Sequence, residues 1–119
     1  MGLNRTVAAV FGVVYLIAGL TGFILASPLF GLFEVNALHN IVHVVIGAVL
    51  LWAMMNGAAA VMANRAIGVV LLALGVLGIF VANPLGLVPI GGYDIGLHLA
   101  SGAVLAGVSL MGSSEMATA

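Results

Sequence analysis

Residues Leu38–Gly47 (LHNIVHVVIG) and Tyr93–Gly102 (YDIGLHLASG) align without a gap at an offset of 55, each at the start of a long apolar run. His39 falls on Asp94, His43 on His98 and Gly47 on Gly102. The preceding apolar runs repeat too. Gly12, Gly19 and Gly22 match Gly68, Gly75 and Gly78 at an offset of 56. The chain therefore reads as two similar hairpins. Each has an apolar run, a Pro-containing loop and a second apolar run opened by ionisable residues. In hydrocarbon every backbone N–H and C=O must be satisfied internally, which leaves helices or a closed barrel. The strict alternation of a barrel strand is missing.

Composition decides that the solvent is lipid. Of 119 residues, 65% are hydrophobic and 4% charged, far too few polar side chains to cover a soluble domain. Four membrane helices are expected, at about Arg5–Ala26, Ala37–Asn56, Asn64–Ala82 and Asp94–Gly112. The expected fold class is an all-α membrane protein whose four transmembrane helices form two parallel-topology hairpin repeats. It is one domain over 1–119, with repeat 1 at 1–57, repeat 2 at 58–113 and a short frayed tail at 114–119. Ser27-Pro28 and Asn83-Pro84 supply the helix stops, because a residue before Pro is pushed out of the α region. Leu25-Ala26-Ser27 resembles a poor signal-cleavage site. The first run is long enough to span and has a counterpart in the second half, so it is read as a retained helix.

Arg5 and Arg65 fall on the side that holds the N-terminus, the central connection and the C-terminus. The positive-inside rule makes that side cytoplasmic. The expected location is the bacterial inner membrane, multi-pass, with both termini cytoplasmic. Glu34 and Asp94 then face the opposite side. Trp52, Tyr93 and Phe33 suit interfacial anchors, and Met54, Met55 and Met62 suit packing. Tyr15, near mid-span, calls for a hydroxyl partner on another helix.

Absences narrow the chemistry. The chain has no Cys, which excludes disulfides, iron–sulfur clusters and covalent c-type haem. It has no Lys, and a retinal Schiff base needs one. A net charge of −1 without a basic patch speaks against nucleic acid. No metalloprotease helix motif, catalytic-triad order or phosphate-binding loop occurs, so the chain is not expected to be an enzyme.

The glycines Gly12, Gly19, Gly47, Gly68, Gly75 and Gly102 recur at helical spacing. They read as packing seams where backbones approach closely. His39, His43 and Gly47 form one stripe, and Asp94, His98 and Gly102 form another, at spacings i, i+4, i+8. If both stripes face one axis, three imidazoles and a carboxylate meet, with Ser101 nearby. Such a cluster can be interhelical glue, a ligand site or a proton relay. As a ligand site, His39, His43, Asp94 and His98 are candidate metal ligands. His43 and His98 are also candidate axial ligands of a haem. The plainer alternatives are Asp94 as an N-cap and His39 in the headgroup region.

The segments GLTGF, GLFEVNALHNIVHVVIG, NRAIGVVLLALGVLG and GLVPIGGYDIGLHLASG resemble the bacterial membrane family catalogued as domain of unknown function 4383. The HNxxH and DxxxH blocks carry the resemblance best, and His39, Asn40, His43, Asp94 and His98 match its polar pattern. The resemblance implies a small four-helix membrane protein and no particular reaction, substrate or cofactor. The functional expectation is a non-enzymatic accessory or structural subunit. It would contact membrane lipids and pack in a larger assembly or a homo-oligomer. The alternative is a haem-, metal- or pigment-binding membrane protein using the histidines of the second and fourth helices.

Overall fold

The computed structural model of the chain describes residues 2–25, 27, 36–81 and 93–116. The expected loop features Pro28, Phe33, Glu34 and Asn83-Pro84, and the last tail residues, lie outside them. Every element among the described residues is a helix: α1 (Leu3–Ile24), α2 (Ala37–Ala53), α3 (Gly57–Phe80), α4 (Tyr93–Ser109) and a short α5 (Ser113–Met116).

Two of these helices, α1 with 22 residues and α3 with 24, are long and apolar enough to cross a membrane. At ~1.5 Å per residue they run about 33 and 36 Å, enough for a ~30 Å hydrocarbon core. Helix α2 is a shorter apolar helix. The expected third helix, from Asn64, begins too late. Helix α3 starts at Gly57 because the Asn56 side chain accepts the Ala59 N–H and caps it. Asn64 and Arg65 dilute the hydropathy there without breaking the helix. The second helix ends at Ala53 rather than Asn56. Its start is as expected: Asn36 caps α2 by accepting the His39 N–H at 2.8 Å.

Glycines hold the helices in close pairs. A methyl group on Gly47 would stand 2.5 Å from the Leu16 nitrogen and 2.8 Å from the Gly12 carbonyl oxygen. One on Gly102 would stand 2.7 Å from the Leu72 nitrogen and 2.8 Å from the Gly68 carbonyl oxygen. The α1–α2 and α3–α4 seams thus use corresponding residues, at offsets of 56 along the first helix of each pair and 55 along the second. Gly19 lies against Val44 and Gly75 against Leu99, which are again corresponding contacts. Helices α1 and α3 touch across one diagonal, whereas α2 and α4 make little backbone approach across the other. Ala8, Tyr15, Ile46, Leu50, Ala60, Leu71 and Leu105 fill the centre.

One end is tied by a polar network. Asn64 Nδ2 donates to the Asn4 backbone and side-chain oxygens at 3.0 and 2.9 Å. Asn4 Nδ2 donates to the Val108 carbonyl at 3.0 Å and to Glu115 at 2.8 Å. Arg5 Nε donates to the Met54 carbonyl at 2.6 Å, and Arg65 donates to the Ser109 carbonyl at 3.0 Å. Cations suit these carbonyls, the negative ends of α2 and α4. The tail is not frayed throughout: Ser113–Met116 is helical. Glu115 accepts the Asn4 N–H at 2.9 Å and the Arg5 N–H at 3.4 Å. It caps α1, whose own N-cap Gly2 has no side chain to do so.

Partial burial works to raise the Glu115 carboxyl. Hydrogen bonds from the Asn4 side chain and from the Asn4 and Arg5 backbone, with the Arg5 charge, outweigh it and hold the group below its usual 4.5.

Two outcomes follow in thermal melts of detergent-solubilised protein. Gly47→Ala and Gly102→Ala press a methyl onto backbone that cannot step aside, and each should lower stability by about 1–3 kcal/mol. Gly96→Ala and Gly107→Ala meet nothing within 4 Å and should be neutral or stabilising by up to ~1 kcal/mol. Equal effects at the four sites would refute the seams. For the clasp, the folded carboxyl titrates below the unfolded one. Its stabilisation is therefore present at neutral pH and is lost as pH falls through the folded value. Glu115→Gln should melt lower than the parent near neutrality, with the gap closing in acid. A gap independent of pH would show that the carboxylate charge is not what holds the tail.

Candidate functional site

The end away from the arginines is built differently. Among the described residues it gathers the buried polar side chains His39, Asn40, His43, Asp94, His98 and Ser101 with the buried Tyr15. The outer faces of the helices carry Val10, Val14, Ile17, Val45, Val49 and Val69, all exposed. A polar interior under an apolar exterior inverts the soluble arrangement.

His39 and His43 lie on consecutive turns of α2, and their ring centroids are 4.3 Å apart. His98 reaches in from α4 to 6.1 Å from His39 and 6.3 Å from His43. All three are at most 4% exposed. One ligand nitrogen from each can be chosen so that all lie within 4.8 Å of one another. The imidazoles meet between α2 and α4, the pair whose backbones approach each other little. His43 sits roughly 16 Å along α2 from Met54. Below it Ile46, Leu50, Leu71 and Leu105 close the interior towards the arginine end.

Hydrogen bonding divides the cluster. Both ring nitrogens of His43, and Nδ1 of His98, are buried without a hydrogen-bond partner. The Asn40 Oδ1 is in the same condition. Asp94 is 1% exposed and sits in the first turn of α4, where a carboxylate suits the helix dipole. Its carboxylate is not among the mutually close ligand atoms, which come from His39, His43 and His98. Of the four candidate metal ligands, three converge, and Asp94 is buried on α4 one turn before His98.

Tyr15 of α1 was expected to find a hydroxyl partner. Its ring meets His43 edge to face at a centroid distance of 5.2 Å. Its hydroxyl faces Ser101 and the Asp94 carboxylate without reaching hydrogen-bond geometry to either. The sequence signal for Tyr15 was its depth in an apolar helix; nothing in α1 alone indicates that it faces the histidines.

The family described as Domain of unknown function (DUF4383) matches residues 5–111. The chain belongs to this family. No curated protein and no solved structure matches it. The matched range takes in Tyr15, His39, His43, Asp94 and His98 and stops short of α5, so the Glu115 clasp lies outside it. Family membership carries no reaction to this site. What the site can do rests on its donors: three nitrogens suited to a transition metal, one carboxylate and one phenol, under apolar cover.

Proposed function

We propose that this chain is an integral membrane metal-binding protein that holds a divalent transition ion between His39, His43 and His98. The observation that carries this reading is His43, buried in the interior with both nitrogens unanswered. A buried polar group without a partner costs several kcal/mol in hydrocarbon. A metal ion would take one nitrogen from each of the three imidazoles. Imidazole suits zinc, copper, nickel and iron. Tetrahedral coordination at ~2.0–2.1 Å brings nitrogens to roughly 3.3 Å of one another. From a group within 4.8 Å that is a closure of about 1.5 Å.

A haem is the weaker occupant. The three centroid distances set His39 beside the line joining His43 and His98, inside the disc a porphyrin would need. Interhelical glue is also weaker. The arginine end shows what glue looks like in this chain, with Asn4, Asn64 and Glu115 donating and accepting in a chain of bonds. The histidine cluster has no comparable pairing at His43.

We further place this site in a four-span protein of two hairpin repeats in the bacterial inner membrane, with both termini cytoplasmic. Support comes from the corresponding glycine contacts of the two seams and from Arg5 and Arg65 gathered at one end. The role we assign is binding rather than turnover, in keeping with an accessory subunit of a membrane assembly.

Purification in mild detergent, elemental analysis and a zinc titration test the reading. Stoichiometric metal should bind, without a haem Soret band, and be lost in His43→Ala and His98→Ala while the helical circular dichroism persists. Asp94→Asn should weaken binding by about 10–100-fold, as removal of a neighbouring carboxylate does at metal sites. Folded wild-type protein that takes up no metal would end the proposal.

A further inference from the structure

We infer that the three-histidine site leaves one coordination position to a small monoanion from solution, hydroxide in plain water, and that the Tyr15 hydroxyl is the donor that positions it. The inference rests on the metal reading above and adds the ligand class the site would take.

The first support is donor count. The mutually close ligand atoms come from three histidines only, whereas zinc-type ions take four ligands and keep the fourth for solvent or substrate at working sites. The second support is charge. Three neutral imidazoles leave both positive charges of a divalent ion uncompensated. Asp94 offsets one. Glu115, the other carboxylate among the described residues, is tied to Asn4 at the opposite end. Buried charge in an apolar interior is costly unless paired. A monoanion on the ion completes the balance, where a neutral ligand would not.

The third support is Tyr15. A phenol has one O–H to donate. This one is 1% exposed, stands edge-on against His43 and donates to no protein acceptor. The fourth support comes from comparing the two hairpins. At the offsets of 56 and 55, Tyr15 corresponds to Leu71 and Ser101 to Ile46. Leu71 and Ile46 belong to the apolar centre. Tyr15 and Ser101 are thus the polar counterparts of two residues of the apolar centre. Apolar residues serve at the corresponding positions, whereas Tyr15 brings a buried O–H without a hydrogen-bond partner against His43.

The test uses the full chain in detergent loaded with Co2+, whose visible bands report coordination, and azide as the monoanion probe. In the wild type azide should shift the bands saturably. Tyr15→Phe, which keeps the ring, should bind Co2+ as the wild type does but bind azide about five- to tenfold more weakly, the loss of one hydrogen bond. Co2+ bound with bands indifferent to azide would overturn the open position while leaving the metal reading intact. Folded protein that binds no Co2+ would overturn both. Equal azide affinity in wild type and Tyr15→Phe would remove the role given to Tyr15. Loss of Co2+ in Tyr15→Phe would make the phenol a ligand and the position closed.

Discussion

The close approach of backbones at Gly47 and Gly102 is the constraint on which the rest depends. Between helices in lipid there is no hydrophobic drive, so contact must come from dispersion over surfaces that fit closely. With no side chain at these positions, α2 meets the α1 backbone and α4 meets the α3 backbone. Two tight pairs then join across α1 and α3, and α2 and α4 are left facing one another at a distance. That gap is where the imidazoles lie. Larger residues at the seams would not merely loosen the bundle; they would change the spacing that lets His39, His43 and His98 converge.

The two ends of the interior handle polarity in opposite ways. At the arginine end donors of Asn4, Asn64, Arg5 and Arg65 find acceptors, and among the buried atoms of these side chains only the Asn64 Oδ1 lacks a partner. At the histidine end His43 contributes two unanswered nitrogens, and Tyr15 and Asn40 contribute one oxygen each. Each such group costs on the order of 1–3 kcal/mol or more when buried. Net stability is typically only ~5–15 kcal/mol. The first end pairs off nearly all its buried polar atoms, and the atoms left over at the second are what the proposed metal reading addresses.

Much of this was legible in the sequence, for physical reasons. Period and length revealed the helices, because apolar runs between Pro-containing breaks leave few alternatives. The i, i+4 spacing of His39 and His43 and the match of His43 to His98 placed the imidazoles on facing stripes. The start of α3 was misread because Asn64 and Arg65 lower the local hydropathy. A helix needs only its cap and backbone bonds, and Asn56 provides the cap. Glu115 was invisible for a different reason. A carboxylate that caps a helix more than a hundred residues away leaves no local pattern. Tyr15 could be flagged as needing a partner but not assigned one, since its neighbours come from α2 and α4. The two arginines give a subtler case. The carbonyls they bind, Met54 and Ser109, correspond at the offset of 55, yet Arg5 and Arg65 are 60 apart on helices offset by 56. The demand at each helix end repeats, while the residue that meets it has moved by one turn.

Residues 2–5 and 113–116 rest against each other through the Glu115 clasp. Fold connectivity is therefore close to a closed loop, with the break held together by a few hydrogen bonds rather than by distance. Chains of this kind are good subjects for circular permutation. A short linker from residue 116 to residue 2, with new ends opened at the Met55–Asn56 turn, would have the second hairpin synthesised first and still specify the same seams. The order in which the hairpins emerge from the ribosome would then be separable from the arrangement they reach.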